Sequence, residues 1–341
     1  MTKFRVAVGP CFIAALLLFA ACGSMARAAQ PIIDMHVHAM ITERQHPIAG
    51  CTGDQLVTYP AVDPAAATPD SQTETCPHPI LSSTKPGQFQ EDTIAALRAA
   101  GVRRAVLIGS PEVLERWESQ APGLFIPADV PNGFSASQAQ QFRSLAASRT
   151  IKVFAEAGPQ YGGIPADDPR VERFWALAEE LDVPVGIHLG MGTPLVGEAV
   201  RTDPYRAALT SPFQLETVLK KHPRLRIYVM HAASPLIDEM IAMLFTYPSL
   251  YVDVAATDWN VPRAQFYSEL KRLVDAGFSK RIMFGSDQTI WPQAIGLAVR
   301  SINEAPFLTA QQKRDILYNN ASRFLRLTKE QIAADHAPLK Q

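Results

Sequence analysis

The sequence predicts an α/β protein: a single (β/α)8 (TIM) barrel with a long insertion after its first strand. Three observations point there. Short β-branched apolar runs alternate with amphipathic helical segments, about eight times over roughly 300 residues, which argues for a parallel sheet closed on itself. The polar residues with metal-binding or acid–base chemistry fall at the ends of those runs, where such barrels carry their sites. No Gly-rich nucleotide turn follows the first strand, which counts against a doubly wound sheet.

The chain opens on an export leader. Lys3 and Arg5 give a positive start, residues 11–22 are an uninterrupted apolar or small run, and Ala26-Arg27-Ala28 offers a small-x-small cleavage site before Ala29. The apolar run is too short to span a bilayer as a mature helix. A rival cut before Cys22, in Leu18-Phe19-Ala20-Ala21-Cys22, would make a lipoprotein, but Phe19 stands where such sites usually carry Leu; cleavage near Ala28 is favoured. Either route predicts a periplasmic or secreted bacterial protein. Residues 1–28 are thus the signal peptide and 29–341 the barrel. The whole chain has 32 basic and 33 acidic residues; the leader takes away Lys3, Arg5 and Arg27 and no acid, leaving 29 against 33, a net charge of −4. With 19% charged residues and no basic tract, nucleic acid is excluded as a partner. The expected partner is a small-molecule substrate. No membrane association is expected unless Cys22 is lipidated, and a homodimer is left open.

The mature elements follow in order. Residues 31–39 are the first strand, buried through Ile32, Ile33, Met35 and Val37. His36 and His38, two apart, share one side of it. Residues 40–88 form an irregular insertion rich in Pro, Thr, Asp and Ala, long enough to be either functional or stapled. It holds Cys51 and Cys76, the two cysteines outside the leader, and in an oxidising compartment they predict a disulfide. Residues 90–100 read as a helix stopped by Gly101, 104–108 as a buried strand and 111–120 as a helix. Residues 124–128 are a weak third strand because of Pro127. A Ser-capped helix over 135–148 and a fourth strand over 151–156 complete the first half. The second half predicts strands over 183–189, 225–230, 250–254 and 281–284. Helices fall over 169–181, 212–221, 235–245 and 263–276, with closing helices over 292–303 and 311–325.

Polar strand ends then pick out a constellation. Strand one offers His36 and His38, strand four Glu156, strand five His188, strand six His231 and strand eight Asp287. Glu156 and His188 are 32 residues apart and His188 and His231 are 43 apart, each one strand–helix unit. His46, His78, His222 and His336 have no such placement and read as loop or surface residues.

This constellation resembles the amidohydrolase superfamily, specifically the amidohydrolase-related branch that includes amino-carboxymuconate-semialdehyde decarboxylase and related lactonases. The matching residues are Asp34-x-His36-x-His38, His188 in Gly-Ile-His-Leu-Gly, His231 in Met-His-Ala-Ala, Asp287 in Phe-Gly-Ser-Asp, and the closing Ile316-Leu317-Tyr318-Asn319-Asn320-Ala321. The resemblance covers essentially the whole mature chain. It implies a divalent metal held by His36, His38 and His188, with Asp287 completing the set and taking a proton from metal-activated water. His231 would stand beside it, as an electrophile on the substrate oxygen or as a second-metal ligand. Glu156-Ala157-Gly158 departs from the decarboxylases and sits where binuclear relatives, such as the TatD-like hydrolases, place a bridging carboxylate. One or two ions are therefore expected. Zinc is the first expectation, and manganese, iron or cobalt also suit such ligands. Asp34 is expected to orient the strand-one histidines from behind.

The expected function is an exported metal-dependent hydrolase cleaving an ester, lactone or amide of a small molecule. The alternative is a non-oxidative decarboxylase or hydratase of a small carboxylic acid using the same site. Substrate contacts are expected from loops after the strands: the insertion as a lid, with Arg201, Arg206 and Trp259, and beside them Tyr161, Tyr205 and Trp291. An arginine there could clamp a carboxylate.

Overall fold

Parallel strands cannot be joined by tight turns, so each strand of a parallel barrel must be followed by a crossover. The computed structural model describes residues 2, 30–40, 43–55, 75–130, 133–190, 192 and 204–338, and it has that alternation. Eight parallel strands follow one another in chain order around the sheet. They are β1 (Ile32–His38), β2 (Val102–Ile108), β3 (Phe125–Asp129), β4 (Val153–Ala157), β5 (Val185–His188), β6 (Ile227–Met230), β7 (Tyr251–Asp253) and β8 (Ile282–Met283). The ring closes onto β1 through Met35 N–H to Phe284 O (3.0 Å) and His38 N–H to Gln288 O (3.0 Å). The crossovers are α1 (Pro86–Ala99), α2 (Pro111–Gln120), α3 (Ala136–Ala147), α4 (Pro169–Glu180), α5 (Leu215–Lys221), α6 (Ile237–Thr246), α7 (Arg263–Asp275) and α8 (Gln293–Glu304).

Alternation along the strands sorts the core into two layers. Ile33, Met35, Val106, Val153, Ala155, Tyr228, Met230 and Met283 pack together inside the barrel. Ile32, Val37, Leu107, Phe154, Ala157, Val185, Ile187 and Val229 pack against the helices. Gly186 is needed inside: a Cβ there would lie 2.5 Å from the Tyr228 ring. In two strands the alternation slips. The register of β1 shifts between Asp34 and Val37, and that of β4 between Phe154 and Ala157. Met35 therefore faces inward and Val37 outward, as do Ala155 and Ala157. Each slip, which acts as a β-bulge does, turns His36 and His38, or Glu156, towards the barrel axis.

Several elements differ from the sequence expectation. Helix α1 begins at Pro86 rather than residue 90, because Pro suits the first helical turn. Pro127 lies inside β3; its carbonyl accepts from Lys152 N–H (2.8 Å), and the parallel ladder tolerates the missing donor. The insertion contains a short hairpin of Ala49–Gly50 with Ile80–Leu81, and Cys51 and Cys76 form a disulfide with Cα atoms 5.8 Å apart. This stapled segment docks on the loops after β7 and β8. Gly53 N–H donates to Trp259 O (2.6 Å), Arg263 N–H to Gly53 O (2.7 Å) and the Trp291 indole to Ile48 O (3.0 Å). The helix expected over 311–325 is interrupted by a π turn, Asp315–Asn319. That turn leaves the Ile316 carbonyl to accept from Phe284 N–H (2.9 Å), which pins the end of the two-residue β8. A further helix, Lys329–His336, starts from a Thr328 capping box. His222 is not a surface residue: it is buried between Glu172 (2.9 Å) and Glu179 (3.3 Å). The leader and Arg201 lie outside the described residues.

Candidate metal centre

Six side chains from five strands meet at the C-terminal mouth of the barrel, and they meet as two groups. In the first, His36 Nε2 and His38 Nε2 are 3.0 Å apart, and Asp287 Oδ1 is 3.3 and 3.1 Å from them. Glu156 Oε2 is 3.4 and 3.3 Å from the same two nitrogens. In the second, Glu156 Oε1 faces His188 Nδ1 at 2.5 Å and His231 Nε2 at 3.5 Å, with the two ring nitrogens 3.1 Å apart. First-row ions bind nitrogen and oxygen at about 2.0–2.2 Å, which sets ligand atoms around one ion roughly 3.0–3.6 Å apart. The first group has that spacing; in the second, His231 Nε2 has it to both His188 Nδ1 and Glu156 Oε1, while Glu156 Oε1 and His188 Nδ1, at 2.5 Å, stand closer, as a hydrogen-bonded pair. The residues expected about one ion fall in different sets of close-lying ligand atoms: His36, His38 and Asp287 in one, Glu156, His188 and His231 in another, and His36, His231 and Asp253 in a third, with Glu156 Oε2 also within reach of His36 and His38.

The electrostatics also suit a cation. Burial works to raise the Glu156 carboxyl, but the imidazoles of His36 and His188 outweigh it and hold it well below the ordinary carboxylate value. Asp287 is lowered in the same way by His36 and His38. Conversely, burial would lower the imidazoles, but the carboxylates win. His38 is raised to about 9 by hydrogen bonds to Asp287 and Glu156, and His36 is held well above its ordinary value by Asp287 and Glu156. Without an ion, protons on His36 and His38 balance the carboxylates; a divalent cation would supply the same charge.

The amidohydrolase family model matches residues 33–327, most of the chain. The chain belongs to the amidohydrolase family. A curated relative, protein fluG of Emericella nidulans, is 22% identical over 207 residues, which are 55% of this chain and 23% of the relative. The chain therefore spans about a quarter of that relative's length. Three solved structures share the fold. An uncharacterized barrel protein from Bordetella bronchiseptica has a TM-score of 0.60 at 16% identity, covering 87% of this chain and 98% of that one. A probable 2-pyrone-4,6-dicarboxylic acid hydrolase from Acinetobacter baumannii, with citric acid bound, has 0.55 at 12%, covering 86% and 99%. A dihydroxybenzoic acid decarboxylase from a Polaromonas species, with bound manganese and an inhibitor, has 0.52 at 13%, covering 70% and 86%. At these identities the likeness is one of fold.

In this amidohydrolase the backbone holds the six side chains through groups the sequence reading assigned otherwise or passed over. Asp34 Oδ1 accepts from His36 N–H (3.0 Å) and Ser286 N–H (2.9 Å), so it ties β1 to the end of β8 and does not touch the imidazoles. Burial, offset by these bonds, still leaves the Asp34 carboxyl raised to about 6. Asp253, buried at the end of β7, was missed because it reads as an interior strand residue. Its Oδ1 accepts from His231 N–H (2.8 Å), and its Oδ2 lies 3.4 Å from His36 Nδ1. His231, Ala232 and Ala233 all have positive φ (59°, 49° and 54°), as does Asp287 (47°). Such strained backbone persists where hydrogen bonds over-determine it. Here Asp253 fixes His231 N–H, His36 O accepts from Asp287 N–H (2.8 Å), and Ala255 O lies 3.0 Å from His231 Nδ1.

The amidohydrolase's expected substrate contacts are scattered. Arg206 is exposed. Trp259 is buried and donates its indole N–H to Ser286 O (2.7 Å), bracing the residue before Asp287 rather than facing the mouth. Tyr161 lies at the mouth, its hydroxyl 3.1 Å from His188 Nε2, and Tyr205 packs against its ring at 5.7 Å. A cleft of about 530 Å³ beside Glu156 and Tyr161 is lined by Val130, Phe134, Gly158 and Ile164.

Proposed function

We propose that this amidohydrolase is an exported, metal-dependent hydrolase that cleaves an ester, lactone or amide bond of a small molecule. Glu156 carries the reading: its two oxygens face different imidazole groups, which supports a carboxylate shared by two ions. His36, His38 and Asp287 would hold one ion, and His188 and His231 the other. Zinc fits these ligands best, and manganese fits them too. A divalent ion in such a site makes water more acidic and polarises a carbonyl. The chain's own residues would do the rest. Asp287, anionic and part-open to the mouth, would accept the proton of the attacking water and return it to the leaving group. Asp253 and Ala255 would keep the His231 ring in one orientation. The apolar leader and the Cys51–Cys76 disulfide support export.

A second reading, non-oxidative decarboxylation of a small carboxylic acid, is favoured by the fold likeness to the manganese-containing decarboxylase. One experiment separates them. Ion-free protein is reloaded with zinc or manganese and offered lactone, ester and amide panels beside aromatic carboxylic acids. Acid release without carbon dioxide is expected. Carbon dioxide release without hydrolysis would move the assignment to the second reading, and no turnover with either ion would overturn both.

A further inference from the structure

The short 3-10 turn after β4, Pro159–Gly162, grips His188 twice. Buried Gln160 donates its side-chain N–H to the His188 carbonyl (2.9 Å), and the Tyr161 hydroxyl lies 3.1 Å from His188 Nε2 with the rings edge to face at 5.1 Å. Gly158 makes room for this: a Cβ there would fall 2.8 Å from Tyr161 Cδ2. The other nitrogen, Nδ1, faces Glu156 Oε1 and His231 Nε2. Hydrogen-bond bookkeeping then links the two ends of the ring. A neutral imidazole carries one N–H and one lone pair. Without an ion, Nδ1–H donates to Glu156, so Nε2 accepts and the Tyr161 hydroxyl must donate to it. With an ion on Nδ1, the proton must sit on Nε2. The contact reverses: Nε2–H donates to the Tyr161 oxygen, and the phenolic O–H has to find another acceptor. Tyr161 is 41% exposed and lines the cleft beside Glu156.

We infer that Tyr161 is a positioning residue that locks the tautomer of His188, and that ion loading turns its hydroxyl proton into the cleft as a donor to a substrate oxygen. The inference rests on the two-ion reading. Its substrate-side consequence is a class: the group beside Tyr161 is a hydrogen-bond acceptor, a carbonyl or ring oxygen, flanked by an apolar portion against Val130, Phe134 and Ile164.

The test needs no substrate. The ultraviolet Raman doublet of tyrosine reports whether a phenol donates or accepts. The full mature chain, ion-free and zinc-loaded, is compared with Tyr161→Phe, and zinc per chain is counted in each. The expected result has three parts: two zinc ions in the wild type, a donor-to-acceptor change on loading that is absent from Tyr161→Phe, and one of the two ions held about 10-fold more weakly in that variant, the usual scale for losing a ligand's partner. Gly158→Ala, which keeps the hydroxyl but displaces the ring, should weaken the same ion. Two ions with no change in the doublet would overturn the inference and leave the two-ion reading standing. One ion in the wild type would overturn both.

Discussion

Replacing Glu156 with glutamine changes one charge in the middle of four imidazoles and tests the shared-carboxylate arrangement directly. The lost charge has Oε2 at 3.4 and 3.3 Å from His36 and His38, and Oε1 at 2.5 and 3.5 Å from His188 and His231. A unit pair about 4 Å apart at an effective dielectric of about 20 interacts by about 4 kcal/mol. The amide dipole and water recover part of that, leaving about 2–3 kcal/mol, or about 30- to 150-fold in ion affinity. The loss should be uneven. His36, His38 and Asp287 still surround the first position, whereas only His188 and His231 remain at the second. Glu156→Gln should therefore retain one ion per chain and lose the other on dialysis against buffered zinc, read by elemental analysis. Circular dichroism confirms the fold. Two ions retained at unchanged affinity would refute the reasoning, because the carboxylate would then contribute to neither site.

Further outcomes follow from the structure. Asp287→Asn keeps an oxygen ligand but removes the base, so it should retain its ions and lose on the order of 10²-fold or more in kcat; full activity would transfer the base role to His231. The ion-free His38 imidazole titrates at about 9, above its ordinary value, and an ion needs it neutral, so zinc binding should release protons and weaken steadily as pH falls below about 9. The same raised value stabilises the ion-free fold below about pH 6.5, a contribution lost as pH rises through about 9; ion-free melting temperatures across that range check the sign. Asp129, raised to about 6 by burial and further by Glu112, acts in the same sense: its contribution is present at low pH and lost as pH rises through about 6. After solvent screening, Asp129→Asn should be more stable by on the order of 1 kcal/mol at neutral pH and unchanged near pH 3 in urea denaturation. Finally, mature protein unfolded without reductant should show no titratable thiol, and reduction of Cys51–Cys76 should cost about 3 kcal/mol; two thiols before reduction would contradict the pairing.

Why six strand-end residues were legible and their arrangement was not comes down to what a sequence period encodes. Unit spacing in a parallel barrel fixes which residues reach the mouth, so His36, His38, Glu156, His188, His231 and Asp287 could be placed on one rim from the runs alone. Which way each points depends on register. The slips between Asp34 and Val37 and between Phe154 and Ala157 invert the inside–outside alternation just before the residues that matter, and no local propensity announces them. Asp253 was hidden for a related reason: in a three-residue strand the last residue looks like the middle of a longer apolar run. The π turn is hidden too, because its effect is to release one carbonyl, that of Ile316, to a strand about 30 residues earlier.

These features act on one point. β8 has two residues, too few to hold Asp287 against burial and a positive φ by ladder bonds alone. The extra holds come from four directions: Asp34 on Ser286 N–H, Trp259 on Ser286 O, Ile316 O on Phe284 N–H, and His36 O on Asp287 N–H. Trp259 is in turn gripped through its backbone by Gly53, two residues from the disulfide. The described part of the insertion is therefore part of the scaffold of the strand-eight carboxylate. Its sequence, irregular and rich in turn formers, carries no period from which that could be read: the contacts are backbone hydrogen bonds at Gly53, where a Cβ would fall 1.7 Å from Val261 O, and one bond from the Trp291 indole to Ile48 O.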